Sequence, residues 1–335
     1  MREALSRLPG VSVADIAEDR YRPIYRGLPL RVMNRLLRPW QERELFDAVR
    51  RALRGKTFDA LVVYKGNLVG PALVEEAKRR GILTVNIFPD YSPHAYGSAL
   101  KDAMGRYDLV ISTKPFHPAL WKSVYGYDNK CVLVPHGYDS AVHLWDDPAP
   151  MDAVDVAICA TWRPEYHRWM MELGRLIGNE NISMAVAGFG WESRMRDLPA
   201  HWRCAGLREG RAYGDFLRSA RVVIAPVNRE VIIRGVRQPG DEDTIRTYEL
   251  AAMRCFFLHQ RTDYAKTVYD ERREVPLWSD AQELAALIRR YLPDEPLRRS
   301  MADAAHARAV PAYSFEHRAR DVAREIEAHL PRREA

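Results

Sequence analysis

Residues 241–260 read DEDTIRTYELAAMRCFFLHQ. Within them, Cys255-Phe256-Phe257-Leu258 is a short continuous apolar run, which predicts a buried strand. The residues before it have helical spacing, with Tyr248, Ala251, Ala252 and Cys255 on one face. The start of that helix is crowded with polar groups, Arg246, Thr247 and Glu249. As i and i+3 neighbours, Arg246 and Glu249 suit a surface ion pair worth about 0.2–0.5 kcal/mol. They equally suit a helix start that faces a ligand. Free N–H groups and an Arg favour a diphosphate there, and a carboxylate one turn in suits a vicinal diol such as ribose.

The same strand–helix alternation extends to both sides of this stretch. In the second half, strands are expected at 154–160, 182–187, 203–205, 222–225, 255–258 and 275–278. Helices are expected at 164–177, 211–219, 245–254, 280–292, 295–308 and 315–329. Ser279-Asp280-Ala281-Gln282 reads as a capping box with Ser279 as the cap. The first half places strands at 11–16, 60–64, 83–88, 109–112 and 131–135, with helices around 40–53, 70–80, 98–106 and 115–125. Alternation of this kind predicts parallel sheets covered by helices on both faces. Between the halves, HGYDSAVHLWDDPAPMD (136–152) is rich in Asp and Pro and reads as an interdomain connection. We therefore expect an α/β protein of two Rossmann-like, doubly wound domains, residues 1–145 and 150–312, followed by a helix and tail over 313–335. The first domain opens with a helix at 2–8 where a strand is usual, so either that strand is not part of this protein or the recorded start lies downstream of the natural one.

Composition narrows the function classes. The chain has 335 residues, 47% of them hydrophobic, a length that suits two domains. Lys plus Arg number 51 and Asp plus Glu 45, a net charge of +6 scattered through helices. No RNP-like aromatic motif or zinc-finger spacing accompanies it, so no nucleic-acid partner is expected. No apolar run approaches the ~20 residues that span a bilayer, and MREALSRLPG lacks a secretory core. A cytoplasmic protein is expected, with peripheral membrane association left open by its basic character. Cys131, Cys159, Cys204 and Cys255 form no CxxC pair and sit in or beside apolar runs, which suits buried core thiols.

Ligands of open α/β sheets bind outside the carboxyl ends of the strands, so the loops after strands carry the chemistry. After the strand at 154 comes Thr161-Trp162-Arg163-Pro164, with Pro164 suited to a first helical position. This turn is either an anion clasp built from Arg163 and backbone amides or an ordinary strand–helix turn. After the strand at 182 comes Gly188-Phe189-Gly190-Trp191, where the glycines permit close backbone approach or simply a tight turn. In the first half, Asp90 and His94 lie on a Pro-rich loop after the strand at 83 and suit a general base and a substrate ligand, or a loop cap and a solvated imidazole. Asp146-Asp147 and Asp241-Glu242-Asp243 invite a metal, but hard cations need convergent oxygen ligands. Asp243 or Thr244 is more simply a helix N-cap, and no metal site is expected.

DTIRTYELAAMRCFFL resembles the Arg-Thr-Phe-Glu helix and following strand of the CgeB-like (spore-maturation-type) glycosyltransferases of the GT-B fold. YSFEHRARDVAREI is similar to that family's terminal Tyr-x-His-Arg-Ala helix, and TVNIFPDYSPH, YDLVISTK and VPHGYDSAVH follow its pattern in the first half. The resemblance covers about residues 58 to 330. It implies two Rossmann-like domains facing a cleft, a C-terminal helix returning toward the first domain, and transfer without a metal or other cofactor. The implied donor is a UDP- or GDP-sugar held mainly by the second domain. By the same resemblance Glu249 matches the acid that binds the donor ribose, Arg246 and Thr247 the start of that helix, and Arg163 the cation that neutralises the diphosphate. Thr161, Gly188 and Gly190 join them as donor-side candidates, while Asp90 is the candidate base and His94 an acceptor-side candidate. Retaining relatives carry Glu-x7-Glu, and here Asp241 stands eight residues before Glu249. The expected activity is transfer of a sugar to an unidentified acceptor. Its rivals are a non-catalytic sugar-nucleotide or partner-binding protein and a phosphorylase or epimerase on the same scaffold.

Overall fold

Runs such as Val154–Cys159 and Leu109–Ser112 offer almost no polar face to solvent, so each needs cover on both sides. A computed structural model describes residues 1–21, 28–145, 147 and 154–331 and shows how that cover is supplied. Asp146 and residues 148–153 of the expected connection lie outside the described residues, as do 332–335 of the tail. The chain forms two compact units. One comprises Met1–Pro135, Ile233–Gln238 and Arg318–Ala335; the other comprises His136–Ile232 and Pro239–His317. The division falls at Pro135, ahead of the connection expected from composition.

The first unit holds α1 (Arg2–Ser6), α2 (Leu28–Ala52), β1 (Ala60–Tyr64), α3 (Pro71–Arg79), β2 (Leu83–Phe88), α4 (Ser98–Met104), β3 (Leu109–Ser112), α5 (His117–Tyr125) and β4 (Lys130–Leu133). Its four strands pair in parallel in the order β1-β2-β3-β4. Right-handed crossovers taken in one direction put α3, α4 and α5 on one face. There Leu73, Val74, Leu100, Met104 and Trp121 pack with Leu45 and Val49 of α2. The other face, with Val85, Ile87, Leu109 and Ile111, has no crossover helix of its own. Val322 and Ile326 of the chain's last helix cover it, together with Met1 and Leu5 of α1. That uncovered face is why the C-terminal helix returns to the first unit. Residues 11–16, expected as a strand, have no regular structure and pair with none of the sheet's four strands. Val13 accordingly stays 43% exposed.

The second unit continues with α6 (Ser140–His143), β5 (Val154–Cys159), α7 (Pro164–Ile177), β6 (Met184–Ala187), β7 (Arg203–Gly206), α8 (Gly210–Arg218) and β8 (Ala220–Ala225). The chain then forms a hairpin, β9 (Val231–Ile233) and β10 (Val236–Gln238), whose residues Ile233–Gln238 count with the first unit; α9 (Arg246–Ala252), β11 (Phe257–Gln260), α10 (Ala265–Val268), β12 (Leu277–Trp278), α11 (Ala281–Tyr291) and α12 (Glu295–Ala309) continue the second, and α13 (Phe315–His329) belongs to the first from Arg318 on. Six parallel strands run in the order β12-β11-β8-β5-β6-β7. The chain moves outward from β5 to β7, then returns to start again at β8 on the other side of β5. This is a doubly wound sheet with its switch point between β5 and β8. Trp169, Leu173, Leu284 and Ile288 of α7 and α11 close one core, while Leu217, Leu250, Ala251 and Ala305 of α8, α9 and α12 close the other.

Several local expectations shift. The hairpin was not anticipated; Arg234 (φ 50) and Gly235 (φ 81) supply the two positive φ angles of a type I′ turn. The capping box at α11 sits one residue later than expected. Asp280 is the cap and accepts from Glu283 N at 2.8 Å, and the Glu283 carboxylate accepts from Ser279 N at 2.8 Å. β11 begins at Phe257 rather than 255, since Cys255 N still donates to Leu250 O at the end of α9. Cys159 and Cys255 are buried, whereas Cys131 and Cys204 are only half-buried.

Candidate functional site

The crevice beyond the carboxyl ends of β5 and β8 holds a pocket of about 170 Å3. Thr161 and Arg163 reach it from the loop after β5, Asn228 from the loop after β8, and Asp241, Thr244 and Arg246 from the lead into α9. Arg163 is the N-cap residue of α7 in extended geometry (φ −140°, ψ 149°), Pro164 occupies the first turn, and no side chain caps the helix. The helix start therefore offers backbone amides and a guanidinium together, the arrangement that suits an anion. Arg246 donates from Nη2 to Pro226 O at 3.2 Å, and its Nε is buried without a hydrogen-bond partner among the described residues. Tyr166 lies beside both arginines, and burial pushes its phenol pKa up.

Three loops far apart in sequence meet here because backbone groups tie them together. Asp241 N donates to Asn228 O at 2.7 Å, and Arg229 Nη1 donates to Asp241 O at 2.7 Å, which closes the base of the β9–β10 hairpin. Glu165 in the first turn of α7 accepts from Arg229 N and Glu230 N, each at 3.0 Å. Burial raises the Glu165 pKa, a cost partly offset by these amide donors. Gly188 and Gly190 stand behind the loop after β5. A Cβ on Gly188 (φ +123) would lie 2.2 Å from Ala160 O, so only glycine lets β6 approach that loop. Trp162 N donates to Phe189 O at 2.8 Å and Trp191 Nε1 to Ala160 O at 2.7 Å, completing the wall.

The DxD pattern divides. Asp241 lines the pocket, whereas Asp243 is fully buried and accepts from Tyr248 Oη at 2.9 Å. Neither Asp243 nor Thr244 caps α9, whose N-cap residue is Ile245. Thr244 N instead donates to Thr247 Oγ1 at 3.1 Å. That hydroxyl lies 2.8 Å from His259 Nε2, and Thr247 is fully buried. Glu249 is 6% exposed and already partnered: Oε2 accepts from Tyr213 Oη at 3.0 Å, and Oε1 lies 3.2 Å from His143 Nε2. Its partners are therefore Tyr213 and His143 rather than Arg246. The fold brings Thr161, Arg163 and Arg246 together, with Gly188 and Gly190 as support, and directs Thr247 and Glu249 to the buried side of α9. Asn228, Tyr213 and His143 were not foreseen, since no local pattern links residues so far apart.

In the first unit, Asp90 Oδ2 lies 2.8 Å from Lys65 Nζ. Lys65 follows β1 with φ 61, a left-handed conformation rare for a residue with a side chain. It is held there by Lys65 N donating to Ile87 O at 2.8 Å and Asn86 Nδ2 donating to Lys65 O at 3.1 Å. Its ammonium lies 4.4 Å from the centre of the Tyr96 ring. His94 packs edge-on against Tyr125 and Tyr127, and burial lowers its pKa. Asp90 thus meets Lys65, and His94 meets a tyrosine cluster.

A larger hollow of about 650 Å3 lies near Ala220 and Phe256, at the amino ends of the second unit's strands. Of its arginines, Arg218 meets Asp147, Arg221 Asp155, Arg254 Asp303 and Arg299 Glu295, and Arg298 donates to the carbonyls of Tyr291 and Leu292. The smaller pocket at the switch point instead brings Arg163, Arg246 and the uncapped start of α7 together.

Residues 164–324 match a protein-family model described as "Glycosyl transferase-like". No curated protein sequence matches the chain. Among solved structures, sucrose-phosphate synthase from Thermosynechococcus elongatus is similar with TM-score 0.62 at 12% identity, covering 87% of this chain and 78% of that one. Anabaena HepE in complex with UDP-glucose is similar with TM-score 0.64 at 12% identity, over 86% of this chain and 82% of that one. The pneumococcal O-GlcNAc transferase GtfA in complex with UDP and GlcNAc gives TM-score 0.55 at 10% identity, over 86% of this chain and 59% of that one. The chain has the α/β fold of the GT-B glycosyltransferases, and the likeness to a glycosyltransferase family is carried by residues 164–324.

Proposed function

We propose that the protein is a hexosyltransferase, CgeB-like and cytoplasmic, that moves a sugar from a nucleoside-diphosphate sugar to an acceptor hydroxyl without a metal. One observation carries the reading: Arg163 and Arg246, from separate loops, converge with the uncapped start of α7 at the switch point of the six-stranded sheet. A departing diphosphate would gain charge next to both guanidinium groups. Stabilisation of this kind is worth about 3–4 kcal/mol per well-placed donor. HepE is solved with UDP-glucose and GtfA with UDP and GlcNAc, which favours UDP over GDP as the donor nucleotide.

In this reading Asp241 stands beside the diphosphate as the partner of a donor-sugar hydroxyl. Glu249 reaches a ribose only if the diol takes the place of the Tyr213 hydroxyl or the His143 imidazole. Asp90, held by Lys65, is the base if transfer inverts and an acceptor ligand if it retains. The test is calorimetric titration of the full chain with UDP and GDP in the presence of EDTA. Binding of UDP that weakens in Arg163→Ala supports the proposal, and failure of both nucleotides to bind would overturn it.

A further inference from the structure

Tyr213 and His143 both meet the Glu249 carboxylate, but they are secured in different ways. Tyr213 is half-buried on α8, and among the described residues its hydroxyl donates only to Glu249 Oε2, at 3.0 Å. Turning it aside breaks one hydrogen bond and moves no backbone. His143, at the end of α6, is 6% exposed, and its Nε2 lies 3.2 Å from Glu249 Oε1. A carboxylate oxygen only accepts, so the ring carries a proton on Nε2. Nδ1 of the neutral ring then accepts from Asp139 N at 3.1 Å, which fixes the tautomer and the ring's orientation. Asp139 O also lies 3.1 Å from Nδ1, so a doubly protonated ring keeps a partner there with Nε2–H still toward Glu249.

The short segment that carries His143 is pinned on both sides within the second unit. Before α6, Tyr138 N donates to Tyr313 O at 3.0 Å, Tyr138 Oη to Val310 O at 2.9 Å, and Phe315 N to Tyr138 O at 2.8 Å. At its start Ala141 N donates to Asp139 Oδ1 at 3.0 Å, and Ser140 Oγ donates to Glu316 Oε2 at 2.9 Å. After it, Trp145 lies against Gly214 of α8, where an added Cβ would come within 2.0 Å of the indole. Arg211 and Arg218 of the same helix stand 4.0 and 4.7 Å from the centre of that ring, and both pair with Asp147. Withdrawing His143 from Glu249 therefore disturbs a segment tied at several points. A ribose diol that displaces one of the two partners meets far less resistance from Tyr213.

We infer that His143 is a positioning residue for the donor: it holds the Glu249 carboxylate in place while the ribose diol displaces the Tyr213 hydroxyl. The inference rests on the reading of Glu249 as the acid that meets the donor ribose. The test is calorimetric titration of the full chain and its variants with UDP and with 2′,3′-dideoxy-UDP, which lacks the diol. Asn at position 143 reproduces the place of Nδ1 but not of Nε2, whereas Gln reproduces that of Nε2. The unaltered chain should bind UDP at least about tenfold more tightly than the dideoxy nucleotide. His143→Asn should cut that ratio below about threefold by weakening UDP alone, His143→Gln should restore it, and Tyr213→Phe should keep it. Circular dichroism checks that each variant is folded, and the ratio is read within one folded variant, so a loss of stability does not move it. An undiminished ratio in His143→Asn, including equal weakening of both nucleotides, overturns this inference alone and makes His143 structural. A ratio lost in Tyr213→Phe also overturns it, because the tyrosine would then be the group that holds the acid. UDP binding without discrimination in the unaltered chain removes the ribose contact and this inference with it, and leaves the diphosphate site standing. No binding of UDP overturns the proposed function itself.

Discussion

Replacing Arg246 with Met should separate ligand binding from folding. In the structure this guanidinium makes one long hydrogen bond, to Pro226 O at 3.2 Å, and leaves Nε buried without a partner. A net hydrogen bond is worth about 0.5–1.5 kcal/mol, while an unsatisfied buried donor costs about 1–3 kcal/mol. Methionine keeps much of the apolar stem and removes both, so the folded state should change by less than about 1 kcal/mol. A bound diphosphate would instead lose charge-assisted hydrogen bonds worth about 1.5–3 kcal/mol. That predicts a Kd for UDP raised by about ten- to a hundredfold. Calorimetry supplies the affinity and urea unfolding the stability. Unchanged UDP affinity would refute the placement of the diphosphate beside Arg246. A loss of more than about 3 kcal/mol of stability would show the side chain to be structural instead.

Gly188→Ala should lower stability by about 1–3 kcal/mol in urea unfolding, because its Cβ would press on Ala160 O from a left-handed backbone. Gly190→Ala should cost less, since its nearest neighbour is the Trp162 Cβ at 3.3 Å; equal effects would contradict this account of the wall. Tyr213→Phe frees one oxygen of Glu249, and UDP affinity should then hold or rise if a ribose uses it; a fall as large as that for Arg246→Met would make Tyr213 itself the contact. His117 and His259 are buried neutral, with pKa values pushed down by burial to about 3 and about 4 from 6.5. The unfolded chain takes up these protons first, so the stability of neutral burial is complete above pH 6.5 and is lost as pH falls toward the folded values. Each histidine should contribute a slope of about 1.4 kcal/mol per pH unit. Urea midpoints that stay level between pH 6.5 and pH 5 would rule this out.

Elements whose signal is local were legible. α7 spans Pro164–Ile177, the range its periodicity and its leading proline indicate, and the strands at Ala60–Tyr64, Leu83–Phe88 and Leu109–Ser112 match their apolar runs, the last two fully buried and the first half-exposed. The segment at 11–16 shows the limit: its apolar alternation suggested a strand, yet it pairs with none of the sheet's strands and stays irregular. The β9–β10 hairpin was missed because its turn is Arg234-Gly235 rather than the familiar Asn-Gly. The basic positions of the candidate site were readable because a loop after a strand at a helix start has a known electrostatic character. For Arg163 that ground left an anion clasp and an ordinary turn equally open, and the family resemblance supplied the roles expected of Arg163 and Arg246.

Glu249 shows what remained hidden. Its spacing from Arg246 on one helix suggested a common face, yet its carboxylate turns to Tyr213 and His143, residues brought in by α8 and α6. Asp241 and Asp243 are two apart, and one lines the pocket while the other lies under Tyr248. By itself the sequence determined the alternation of strands and helices, the doubly wound second unit and the loops that carry its cations, because periodicity and turn chemistry act over a few residues. Only the tertiary structure decided which side chains share the pocket and which are spent on buried partners. It also decided that the last helix covers the open face of the first sheet. Those outcomes depend on contacts between segments distant in the chain, for which neighbouring residues carry no signal.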